Sequence, residues 1–225
     1  MRNEFRLLVA MALASSIASA ASAGSVSGKV EILEKGGKLK SALGEVLVYI
    51  DGVQAAFPES LSKRPVVVTS HDKSFNPHAA VVRLGGTVSF PNLDDIMHNV
   101  FSLSKGNRFD LGLYKNGAKM DYVFENPGLV RVYCNIHPQM GAFIHVLENP
   151  YFAWVRPDGS FTIEAVPSGS YTLRAWHEEG EVAQPVAVTD SALSGVVLRI
   201  DASSYSERPH LNKFGKPYEK KRDKY

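Results

Sequence analysis

The stretch that decides the fold is Leu129-Val130-Arg131-Val132-Tyr133-Cys134-Asn135-Ile136-His137-Pro138-Gln139-Met140. Its first five residues are rich in β-branched and aromatic side chains and read as a strand. The next seven hold a thiol, an imidazole and a thioether, directly after that strand. A loop leaving a strand end can turn back on itself and aim three side chains at one point, which a continuous strand cannot do. A second imidazole stands earlier, at His98 in Asp94-Asp95-Ile96-Met97-His98-Asn99-Val100-Phe101.

One Cys, two His and one Met form the donor set expected of an electron-transfer copper site. Thiolate and thioether suit Cu(I), imidazole suits both oxidation states, and a trigonal set with a long axial bond is acceptable to each. The expected ligands are therefore His98, Cys134 and His137, with Met140 as the weak axial ligand to a single copper ion. Zinc competes for Cys and His, but structural zinc sites prefer several cysteines and a thioether is a poor zinc ligand.

Working outward, short strand-like runs fill the body of the chain: 46–50, 66–68, 81–84, 87–90, 143–146, 160–163, 171–174 and 196–200. Turn residues separate them at Gly36-Gly37, Gly85-Gly86, Asp158-Gly159, Pro167-Ser168-Gly169 and Glu179-Gly180. No stretch after residue 23 keeps a helical period for three turns. The fold class is all-β, of sandwich type. Residues 54–64 and 148–150 break the pattern and bracket a block at 64–149, the size of a small sandwich domain.

The chain has 225 residues and a single cysteine, so it forms no internal disulfide. Its start reads as an export signal at 1–23: Arg2 and Arg6, the apolar run 7–13, then Ala21-Ser22-Ala23. That run is shorter than the ~20 residues that span a bilayer. The expected product is soluble and periplasmic, with no stable membrane insertion after cleavage. A lone thiol in an oxidising compartment is either buried or bound to something. The formal net charge is only +2, so nucleic acid is not expected as a partner. Basic residues concentrate in 203–225, seven Lys or Arg against three Asp or Glu, which reads as a disordered tail.

Residues 66–148 resemble a cupredoxin, the blue-copper family. The resemblance rests on Phe75-Asn76-Pro77, on Val82-Arg83-Leu84-Gly85-Gly86-Thr87-Val88-Ser89-Phe90-Pro91-Asn92, and on a Cys-x2-His-x2-Met loop like that of amicyanin. It implies a Greek-key sandwich with copper at one end and His98 and His137 binding through Nδ1. It also implies that Asn99 supports the site, its backbone N–H donating to the ligand sulfur and its side chain tethering the ligand loop. Redox partner proteins would dock near His137, amid Pro138, Met140 and Gly141. Residues 26–53 and 157–173 resemble a carboxypeptidase-regulatory-like (transthyretin-like) β-sandwich. The expected second domain is thus discontinuous, 24–57 with 150–202, and has no activity of its own.

The function expected is single-electron carriage by an exported type 1 copper protein, with copper delivery, buffering or sensing as the alternative. An enzyme is not expected, since no His-x-His pairs for a copper cluster and no hydrolytic constellation are visible. His145, five residues past Met140, is an alternative axial ligand by spacing alone. Together with His71, His78, His177 and His210 it is expected to be an ordinary surface histidine.

Overall fold

The computed structural model describes residues 23–59, 64–207 and 209–218. The export signal expected at 1–23 therefore lies, apart from Ala23, outside the described residues. Strands occur in chain order as β1 (Ala23–Leu33), β2 (Leu47–Asp51), β3 (Val66–Val67), β4 (Thr69–His71), β5 (Ser74–Asn76) and β6 (Ala79–Arg83). Next come β7 (Gly86–Pro91), β8 (His98–Ser104), β9 (Asn107–Tyr114), β10 (Lys119–Phe124), β11 (Gly128–Tyr133) and β12 (Gly141–Leu147). The chain closes with β13 (Phe152–Trp154), β14 (Ser160–Pro167), β15 (Gly169–His177), β16 (Gly180–Val188) and β17 (Leu193–Asp201). Among the described residues no helix is long and apolar enough to cross a membrane.

Period-two alternation builds two separate cores. In β17, Val196, Leu198 and Ile200 turn inward while Val197 and Arg199 face out. They join Val26, Val30 and Ile32 of β1 and Leu173 and Ala175 of β15 in one cluster, between the sheets β14-β1-β17 and β13-β2-β15-β16. Gly28 is needed where β1 meets β17, because a Cβ there would sit 1.9 Å from Val196 O. The second core lies between the sheets β10-β7-β3 and β6-β12-β11-β8-β9 and gathers Val88, Phe90, Phe124, Val130, Val132 and Ile144. Every strand from β3 to β12 lies outside the first pair of sheets, and the chain returns to them at β13.

The two sandwiches meet at a third cluster built on Leu47, Ala79 and Trp176, with Phe143 and Phe152 packed against it. Polar ties cross the same seam: Ala79 N–H donates to Glu45 Oε2 at 2.7 Å, and Asn149 Nδ2 donates to Ile50 O at 2.9 Å. As a result β12 is buried on both faces. Ala142, Ile144 and Val146 enter its own core, while Phe143 and His145 face the ring of Trp176.

Two expectations need correction here. His145 is not a surface histidine: it is 2% exposed, and its ring packs edge-on against Trp176 at 4.4 Å. His177 is also buried, at 5% exposure. His145 is buried because the second sandwich covers a face of β12 that one isolated sandwich would leave in water, and His177 lies at the end of β15, next to Trp176 of the same seam. The tail expected to be disordered is, over 209–218, folded back onto the loop between β11 and β12, with His210 stacked on Tyr133 at 3.8 Å. Residues 208 and 219–225 of that tail lie outside the described residues.

Burial pushes the His145 imidazole from 6.5 down to about 4. The unfolded chain then binds one more proton than the folded one between those values, so stability rises with pH across that window. Stability is expected to fall by roughly 3 kcal/mol as pH drops from 6.5 to 4, and His145→Leu should flatten that slope. Urea unfolding at a series of pH values measures it; an unchanged slope in the variant would rule out His145 as its source. Two separate cores also predict that residues 64–149 fold alone, and that 24–55 joined to 150–202 by a Gly/Ser linker form a folded sandwich. Circular dichroism showing either piece unfolded would contradict this.

Candidate metal centre

Strand geometry delivers Cys134 to the interior. Val130 and Val132 point into the core from β11, and Cys134 continues that alternation one step past the strand end, fully buried. β8 is hydrogen-bonded alongside, with Tyr133 opposite Phe101, so its first residue, His98, reaches the same end of the sheet. His98 is also fully buried. The loop 134–140 closes on itself, Cys134 N–H donating to Met140 O at 3.2 Å and Met140 N–H to His137 O at 2.9 Å. That turn swings His137 back over Cys134. Met140 is 1% exposed and packs in the same core cluster as Cys134.

These elements bring three donor atoms together. Cys134 Sγ lies 3.9 Å from His98 Nδ1 and 3.7 Å from His137 Nδ1, and the two Nδ1 atoms are 3.2 Å apart. A point in their plane equidistant from all three is about 2.1 Å from each, within the ~2.0–2.3 Å range of metal bonds to imidazole nitrogen and thiolate sulfur. The donors thus fit a single ion.

Asp94 sets the state of His98. Its Oδ2 lies 2.7 Å from His98 Nε2, which donates to it and leaves Nδ1 with its lone pair toward Cys134. The same carboxylate accepts the backbone N–H of Asp72 at 2.7 Å and of Lys73 at 2.9 Å. Burial alone would raise the Asp94 carboxyl, but the hydrogen bonds from Lys73, His98 and Asp72 hold it below the usual carboxylate range. Asn92, fully buried, holds the Asp94 loop by donating to Ile96 O and Tyr114 O and accepting from Asp94 N–H.

Asn99 braces the other side of the loop. Its Oδ1 accepts Asn135 N–H at 3.2 Å, while Nδ2 donates to Asp110 Oδ1 and Gly112 O. Of the apolar residues expected around His137, Met140 is buried and Gly141 is half-buried. Pro138 is exposed beside His137, as are Ile136 in the loop and Leu93, Ile96 and Met97 before His98. Sequence reasoning missed Asp94 and Asn92 as supports. The signal available was an acid four residues before a ligand histidine.

No protein-family profile and no curated protein matches the chain. Among solved structures, the chain is similar to a mutant amicyanin in its Cu(I) form, with 18% identity over 44% of this chain and 98% of that one, TM-score 0.36. It is similar to a copper-containing nitrite reductase from Thermus scotoductus SA-01, with 27% identity over 44% of this chain and 25% of that one, TM-score 0.37. It is also similar to a purple cupredoxin from Nitrosopumilus maritimus, with 19% identity over 53% of this chain and 99% of that one, TM-score 0.31.

Asp94→Ala should weaken metal binding about 10–100-fold, the usual cost of removing a carboxylate that orients a ligand histidine. Competition against a chelator measures it, and unchanged affinity would show that Asp94 does not set the His98 tautomer.

Proposed function

We propose that this chain is an exported copper protein that carries single electrons, with one copper ion held by His98, Cys134 and His137 and weakly by Met140. The observation that carries this reading is the buried Cys134 sulfur with two imidazole Nδ1 atoms, all within 4 Å of one another. One soft sulfur and two nitrogens suit both copper oxidation states, and when bound the ion supplies a reversible one-electron couple. Everything else falls to the protein. Burial of Cys134 and His98 excludes water, Asp94 holds the proton of His98 on Nε2, and the closed loop keeps His137 in register with β8. Little then has to move when an electron arrives or leaves.

The periplasm is the compartment this reading calls for, since a lone thiol survives there when bound to metal. The half-buried edge of His137 beside exposed Ile136, with Met97 and Leu93, suits brief docking of a redox protein, where a small apolar patch allows fast release.

The test is addition of Cu(II) to purified protein. An intense blue thiolate-to-copper colour, bleached by reductant and restored by oxidant, is expected. Cys134→Ser should abolish it, and Met140→Leu should keep a coloured site with an altered potential. Colourless binding of Cu(I) without reversible oxidation would instead mark a copper-handling module, and a serine variant that stays blue would overturn the ligand assignment.

A further inference from the structure

Two backbone hydrogen bonds close the ligand loop, and Asn99 Oδ1 accepts its Asn135 N–H. Three of its other acceptors, Cys134 O, Asn135 Oδ1 and Pro138 O, are met by segment 209–218. His210 Nε2 donates to Pro138 O at 2.7 Å, next to His137. Lys213 N–H donates to Asn135 Oδ1 at 2.9 Å. The Tyr218 hydroxyl donates to Cys134 O at 3.2 Å. Each of these bonds lands on the loop itself, on Cys134 or on a residue directly adjoining Cys134 or His137.

Two further features fasten the segment in place. The His210 ring stacks on Tyr133 at 3.8 Å and 13°, and Tyr218 meets His210 edge-on at 5.3 Å. Lys213 Nζ pairs with Asp110 Oδ2 at 2.7 Å. Asp110 Oδ1 accepts Asn99 Nδ2, Asn99 Oδ1 accepts Asn135 N–H, and Asn135 Oδ1 accepts Lys213 N–H. A closed ring of hydrogen bonds therefore runs Lys213, Asp110, Asn99, Asn135 and back to Lys213. Members of such a ring polarise and orient one another, so opening it at one point loosens the rest.

We propose that residues 209–218 form a clasp that is part of the metal centre: His210, Lys213 and Tyr218 are positioning residues that hold loop 134–140 in its binding geometry and retard loss of the ion. The argument is one of satisfied acceptors. Without the segment, Cys134 O, Pro138 O and the Asn135 side chain turn to water, while Asn99 Oδ1 still holds the Asn135 N–H.

The clasp deepens the copper reading, and its test has an arm that does not depend on copper. In the metal-free, full-length protein, His210→Ala combined with Tyr218→Phe should speed amide exchange at Asn135 and Met140 about tenfold, the effect of losing one or two net hydrogen bonds. Amides of β17 should be unchanged. A chain ending at Glu207 should show the larger effect. Equal exchange in the wild type and both variants would overturn the clasp.

In copper-loaded protein, the double variant should release Cu(I) to a chelator about tenfold faster at unchanged global stability. Loaded variants that match the wild type in release rate would also overturn it. A wild type that takes up no copper would count against the proposed function, while the exchange experiment would still decide the clasp.

Discussion

Holding two imidazole nitrogens 3.2 Å apart beside a buried sulfur is the constraint on which the rest of this structure depends. With His98 presenting a lone pair, the Nδ1 atoms and Cys134 Sγ have little reason to converge on their own. The fold enforces the meeting. β11 carries Cys134 inward by simple alternation, β8 brings His98 to the same sheet end, and the 134–140 turn returns His137 over both. Asp94 then orients the fully buried His98, its carboxylate accepting the Nε2–H and turning Nδ1 toward Cys134. Preorganisation of this kind places the cost of assembling the site in folding rather than in binding or electron transfer.

The second sandwich changes the chemistry of the first by covering it. β12 links the ligand loop to the seam between the sandwiches, and its outer face is sealed by Trp176 and Phe152. That cover dehydrates His145 and makes the strand behind Met140 a core element on both sides. The seam thus anchors one end of the ligand loop. The other side of the loop is held by Asn99 and by the returning chain.

Much of this was legible from local sequence. The run from Leu129 to Met140 announces a strand followed by a ligand-bearing loop, and β2, β7, β14, β15 and β17 follow from branched and aromatic runs bounded by turns. Other elements were hidden for physical reasons. β16 contains Pro185, which reads against a strand; it is tolerated because β16 is the edge of its sheet, where a missing donor costs little. β10 exposes every second residue and β9 breaks its alternation at Gly112, and with Arg108, Asp110, Lys119 and Asp121 among them their apolar signal is thin. The supports of the site were harder still. Asp94 looks like one acid among several until the fold places it under His98. His210, Lys213 and Tyr218 lie in a stretch whose charge and proline content suggest disorder. Their order comes from long-range acceptors in the ligand loop, which no local pattern encodes.

The measurement that bears most directly on the central claim is a crystal structure of copper-soaked protein with anomalous data collected at the copper edge, set beside the metal-free crystal. A single anomalous peak about 2 Å from His98 Nδ1, Cys134 Sγ and His137 Nδ1 is expected, with the three side chains unmoved between the two crystals. A peak at the group of His71, Asp72 and Asp94, or ligands that shift to reach the ion, would contradict a site preformed by the fold.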